Sequence, residues 1–184
     1  MTHHRSRVSI GLVLATAVTT LAAAHVVDHQ GTSTMPGIPV ALKVEHEKLH
    51  AALSAATRLP GKTGEAAKQV AVVLHEHFLS EEELAMPPLG LLGPIAKGDV
   101  TPEMRSVIAL TDRLKAEMPR MLSEHKAIVQ ALDALGQAAE AERHPDVTRF
   151  VEELTTHAQT EEQVLYPAAI LVGEYLKLKF PAAR

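Results

Sequence analysis

A chain of 184 residues suggests one domain, long enough to bury a core without disulfide or metal staples. It is 46% hydrophobic with three Phe, two Tyr and no Trp, which favours an aliphatic, helical core. The absence of Cys excludes disulfides, iron–sulfur clusters, thiolate zinc sites and a lipoprotein anchor, and a net charge of −4 argues against a nucleic-acid partner.

The first residues carry Arg5 and Arg7 with no acid, Val8 to Ala24 is uncharged and largely apolar, and the run ends in Ala22-Ala23-Ala24. This pattern reads as a secretory signal peptide, residues 1–24, cut after Ala24. Because the apolar stretch continues to Val27 and approaches the roughly 20 residues that span a bilayer, an uncleaved anchor is the alternative. Either way the domain is expected outside the cytoplasm, periplasmic or secreted, with a membrane contact only if the segment is retained. Its removal takes two Arg, leaving 16 basic against 22 acidic residues, a net −6. Residues 25–37, rich in Gly, Ser and Thr, read as a linker, with His25 and His29 on a solvated tail.

Helical periodicity then sets in. A first helix is expected from about Pro39 to Thr57, with Leu42, His46, Leu49 and Leu53 on one stripe, ending at Pro60-Gly61. A second starts near Thr63 as N-cap, carries Val70, Val73, Leu74, His77, Phe78, Glu81 and Leu84, and is expected to stop at Pro87-Pro88. An apolar connection, 89–99, is placed over the end of the bundle. Thr101-Pro102-Glu103 signals a third helix, with the stripe Leu114, Met118, Leu122, His125, Val129, Leu132 and Leu135, fading after Gly136. The fourth opens at His144-Pro145-Asp146, carries Val147, Phe150, Val151, Leu154, His157, Glu161, Val164 and Leu165, and meets Pro167, after which 168–178 reads as a further short helix. Four amphipathic helices with short to moderate connections predict an all-α, up-and-down four-helix bundle over residues 38–178, with 179–184 as a tail.

The chain also repeats itself. Glu45-His46 matches Glu124-His125 at an offset of 79, and His77, Glu81, Glu82, Pro87 and Gly93 match His157, Glu161, Glu162, Pro167 and Gly173 at an offset of 80, which implies an internal two-fold repeat. In a helix, residues i and i+4 share a face, so His77 with Glu81, and His157 with Glu161, present a nitrogen and an oxygen to one point. These residues, with His46 and His125, fall on the apolar stripes, where an ionised carboxylate is costly unless paired or bound to a cation. Imidazole and carboxylate without thiolate suit iron, less so manganese or zinc, whereas calcium and magnesium prefer all-oxygen sites. Six donors exceed one tetrahedral zinc, and two carboxylates able to bridge fit a two-metal centre.

This ordered pattern, His46, then His77-x3-Glu81, then His125, then His157-x3-Glu161, resembles the hemerythrin-like (HHE cation-binding) domains over about residues 39–172. The resemblance implies a non-haem centre of two iron ions that meets dioxygen or a related small diatomic or peroxide ligand. It makes His46, His77, His125 and His157 iron ligands and Glu81 and Glu161 bridging carboxylates. It also implies a fifth histidine one turn from His125, but those positions hold Met121 and Val129. His50, one turn after His46, is either that fifth ligand or a histidine at the edge of the stripe. The implied role is oxygen binding or sensing by an exported protein; the alternatives are an enzyme decomposing peroxide at open metal positions, or iron storage and nitric-oxide-stress handling. Glu82 and Glu162, about 100° further round their helices, are expected to be solvated or to orient a ligand histidine. Glu45 and Glu124 read as exposed, His75 as opposite to His77, and Tyr166 as closing the bundle end or lending a phenol to the centre.

Overall fold

The computed structural model describes residues 36–181, so the expected signal peptide and most of the expected linker lie outside the described residues. Helix α1 runs Val40–Ala56, and α2 runs Gly61–Ser80 and passes through a π-helical turn, Glu81–Ala85, into α3, Met86–Leu89. A short α4, Leu92–Ala96, and a 3₁₀ turn, Pro102–Arg105, lead into α5, Ser106–Glu142. Helix α6, Pro145–Thr160, passes through a second π turn, Glu161–Leu165, into α7, Tyr166–Lys179. There are no strands among the described residues, and no described helix is long and apolar enough to cross a membrane.

The helices form a four-helix bundle in which α1 packs on α2 and α6, and α5 packs on the same two. Every neighbouring pair is antiparallel. Glu82 meets His46 across α1 and α2, whose connection is the turn 57–60; Glu124 meets His77 while Glu142 meets Lys62; and Glu162 meets His125 across the short turn before α6.

Expectations about helix ends are corrected. Pro87-Pro88 does not stop the second helix, and at Pro167, where an interruption was expected, the chain stays helical through a π turn into α7. In each case the residue before the proline donates its N–H five residues back, Met86 to Glu81 O and Tyr166 to Glu161 O. The wider π turn relieves the clash that a proline ring makes with the carbonyl four residues back. Nor does α5 fade after Gly136. Leu135 and Ala139 are fully buried on either side of it, and their packing outweighs the roughly 1 kcal/mol that a helical glycine costs. The second helix also starts earlier than expected, with Pro60 at its cap position, while Thr63 lies buried inside the first turn.

The stripes need local correction too. Met121 and Ile128 are buried where Leu122 and Val129 were expected, because at about 3.6 residues per turn the face through Leu114, His125, Leu132 and Leu135 passes through 121 and 128, and 122 and 129 lie about 100° off it. In the fourth helix Val164 is 55% exposed whereas Tyr166 is 1% exposed. The extra residue of the π turn rotates everything beyond it by about 100°, moving the inner face from Val164 and Leu165 to Leu165 and Tyr166.

The buried apolar side chains fall into two main clusters on the two sides of a polar layer. One spans Leu49, Leu53, Val70, Leu74, Phe78, Ile128, Leu132, Phe150 and Leu154; the other holds Leu84, Leu89, Leu110, Leu114, Met121, Tyr166 and Ala169. A third, smaller cluster packs Leu91 with Val107, Val172 and Leu176, with Ile95 and Val100 of the 89–99 region against it. Here α7 lies so close to α5 that a Cβ on Gly173 would stand 1.8 Å from Thr111 Oγ1.

Candidate metal centre

The polar layer consists of His46, His77, Glu81, His125, His157 and Glu161, each buried to 4% exposure or less. One histidine comes from each long helix, and each glutamate is the first residue of a π turn. They form two groups that could each hold a metal ion: His46, His157, Glu81 and Glu161, and His77, His125, Glu81 and Glu161, with the donor atoms of a group within 4.8 Å of one another.

Both carboxylates belong to both groups, and each turns a different oxygen to each. Glu81 Oε2 lies 3.8 Å from His46 Nε2, while its Oε1 lies 3.1 Å from His77 Nε2 and 3.8 Å from His125 Nε2. Glu161 Oε1 lies 2.9 Å from His157 Nε2 and 3.7 Å from His46 Nε2, while its Oε2 lies 3.5 Å from His125 Nε2. Such an arrangement suits two cations side by side with a carboxylate on either flank.

The outer nitrogens of the histidines are occupied by carboxylates, so their Nε2 atoms turn to the interior, where those of His46 and His157 stand 3.2 Å apart. His77 and His125 donate Nδ1–H to Glu124 and Glu162 at 2.9 and 2.8 Å, His46 makes a longer contact of 3.4 Å to Glu82, and His157 Nδ1 stands 3.2 Å from Glu45. These contacts join α1 to α2, α2 to α5, α5 to α6 and α6 back to α1, closing a ring around the bundle. A carboxylate on Nδ1 fixes the tautomer and ring angle and makes Nε2 a better donor. Glu45 is exposed, as expected, whereas Glu124 is half-buried; both also lean across to a histidine on the neighbouring helix, a contact that was not expected of either. The sequence signal was present, since the repeat carries Glu as well as His in both Glu-His pairs.

The remaining candidates separate. His50 is exposed and belongs to neither group; its ring meets Phe78 edge-on at 4.8 Å, and Phe78 in turn stacks on His46 at 4.3 Å. The phenyl ring thus packs against both imidazoles, and the structure does not bring His50 into either donor group. His75 is exposed, and His144 sits at the start of α6. Tyr166, by contrast, is inside the layer. Its hydroxyl donates to Glu81 Oε1 and lies 3.2 Å from His125 Nε2.

Electrostatically the layer wants positive charge. Burial by itself lowers a histidine, yet the surrounding carboxylates more than reverse this. His77 and His157 are raised, and His125, facing Glu161, Glu81 and Glu162, is pushed up to about 10. Burial would raise Glu161, but His125, His157 and His46 hold it well below the usual carboxylate range. Burial and the charges of Glu81 and Glu161 keep the Tyr166 phenol protonated far above its ordinary value.

Protons do not satisfy everything. His77 Nε2, Glu81 Oε2 and Glu161 Oε1 are fully buried without a hydrogen-bond partner, His77 and Glu161 despite neighbours at 3.1 and 2.9 Å that are not aligned to share a proton. Orphaned buried donors that all point inward fit a cation, because leaving them bare costs of the order of 1–3 kcal/mol apiece.

A family model described as the hemerythrin HHE cation binding domain matches residues 38–169. The chain belongs to the hemerythrin HHE family. No curated protein and no solved structure matched it. The hemerythrin match spans all six buried His and Glu residues and Tyr166, and membership implies binding of a metal cation, typically iron. The resemblance read from the histidine and glutamate spacing is thereby shown.

Proposed function

We propose that this hemerythrin-family chain is an exported protein that holds two iron ions and binds dioxygen or a related small oxidant at them. One observation carries the reading: two donor groups share both carboxylates, each through opposite oxygens. Export is supported by the basic, then apolar, then small-residue order of residues 1–24.

Iron held there supplies a redox-active Lewis acid to which a small oxidant can bind. The residues of the chain do the rest. His46 and His157 on one side, and His77 and His125 on the other, direct Nε2 inward while Glu45, Glu82, Glu124 and Glu162 hold their outer nitrogens. The apolar clusters on both sides exclude water, which strengthens the grip of the charged donors on a cation.

The test is metal analysis together with absorbance. Iron-loaded, reduced protein is expected to carry two irons per chain and to develop in air a visible band that fades under argon. A band that never forms, or never fades, overturns reversible binding. A second reading, peroxide decomposition, is favoured by the donor count: each group has only two histidines, which leaves positions open to a substrate. It predicts peroxide turnover that a His77→Ala variant loses.

A further inference from the structure

We propose that Tyr166 is a fifth protein donor to the His77–His125 group, ligating a trivalent metal ion through its phenolate oxygen and so making the two ions of the centre chemically unlike. The inference rests on the two-ion reading above. The hydroxyl lies on Glu81 Oε1, the oxygen that this carboxylate turns toward His77 and His125, and it stands 3.2 Å from His125 Nε2. Donors sharing an octahedral ion at about 2.1 Å stand about 3 Å apart along an edge, and the phenol oxygen already keeps that separation from the imidazole. The ring is held in place by burial and by stacking on His125 at 5.7 Å between centroids and 23° between planes.

Among the described residues the other group has no such donor. The repeat that makes Glu81 equivalent to Glu161 puts Met86 at the position of Tyr166. The aromatic ring stacked on His46 is Phe78, which offers no oxygen. A tyrosine is brought to the cage only because the second π turn rotates residue 166 inward, so the donor and the helix irregularity are one feature.

In the metal-free chain the hydroxyl donates its proton to Glu81. On ligation the O–H bond breaks, the proton leaves to water, the electron pair it shared goes to the metal, and no electron is transferred. A phenolate is a hard anion, so it selects a trivalent ion over a divalent one and gives the His77–His125 group five protein donors against four in its neighbour. The His46–His157 group is then left with the larger number of positions open to a small ligand.

The test uses the full chain loaded with ferric iron, read by visible absorption and resonance Raman. A phenolate-to-iron charge-transfer band with tyrosinate ring vibrations is expected, lost in Tyr166→Phe and kept in Tyr175→Phe, the chain having two tyrosines. Two irons per chain without the band, or a band that survives Tyr166→Phe, overturns the assignment. If only one iron binds, the two-ion reading falls while the band still decides the donor. Should Tyr166→Phe fail to fold, the ring vibrations in the wild type and in Tyr175→Phe decide it without that variant.

Discussion

The two donor groups are built from the same parts by an internal repeat, yet their surroundings differ. The His46–His157 group borders the aliphatic cluster through Phe78, and its outer partners are the more exposed Glu82 and Glu45. The His77–His125 group carries the Tyr166 hydroxyl, and one of its outer partners, Glu124, is itself gripped by Arg120. Arg120 in turn reaches Glu117 and Ser80, so His77 is the end of a chain of contacts rather than of a single one. Duplication supplies two equivalent sites; single-residue differences in their walls are enough to separate them.

The largest effect is expected where the groups are joined. Glu161→Ala removes a donor from both, so iron should fall from two per chain toward none. A ligand at a hundred times its dissociation constant stabilises by about 2.7 kcal/mol, roughly a 5–10 °C rise in melting temperature for a domain of this size. That gain on iron loading should vanish in Glu161→Ala. His46→Ala removes a donor from one group only, and metal analysis should then find about one iron per chain. If His46→Ala loses both ions, the groups are not separable and the comparison fails.

Much of this was legible in the sequence for simple reasons. His77 and Glu81, like His157 and Glu161, are one turn apart, a spacing that survives any small error in helix ends, and their places on apolar stripes mark them as buried. What was not legible came from the π turns. Proline is ordinarily a stop, so reading Pro87 as a helix end and Pro167 as an interruption is sound local chemistry, overridden here by a widened turn that the spacing of apolar residues does not announce. The same rotation put Val164 outside and Tyr166 inside. The contacts of Glu45 and Glu124 to histidines were missed for another reason: a residue about 100° from the stripe is on the edge of its own helix, and only the position of the next helix decides whether it also reaches an imidazole. His50 shows the converse, since an i+4 spacing from His46 does not bring it into either donor group, Phe78 packing against both rings.

A smaller, graded effect sharpens the difference between the outer carboxylates. Glu124 is 27% exposed at its side chain and tied to Arg120, whereas Glu45 is 50% exposed and no other contact fixes it among the described residues. Glu124→Gln should therefore loosen the His77–His125 group by about tenfold, the lower end of what a lost partner of a ligating histidine costs. Glu45→Gln should change the other group less. Timing iron loss to a chelator in each variant reads both, and equal rates would mean that Arg120 adds nothing.

The smallest effect lies at the far end of the bundle and gives a reference that should leave the metal untouched. Glu142, at the end of α5, accepts hydrogen bonds from the N–H groups of Lys62 and Thr63 at 2.8 and 2.9 Å and from the Thr63 hydroxyl at 2.7 Å, capping α2 from another helix. Gly61 makes room for it: its φ is 78°, and a Cβ there would stand 2.6 Å from the carboxylate. These bonds favour the ionised form, first the Thr63 hydroxyl and then the backbone groups, and hold Glu142 down at about 2 against an ordinary 4.5. A carboxyl depressed in the folded state contributes stability that is complete above its unfolded value and is lost as the pH falls toward the folded one. Between pH 4.5 and 2, therefore, the metal-free wild type should lose stability more steeply than Glu142→Gln, while at neutral pH the variant should be the weaker of the two. Both should still bind iron in the wild-type ratio, because the aliphatic cluster of Leu53, Val70, Leu74, Leu132 and Leu135 lies between this cap and the cage.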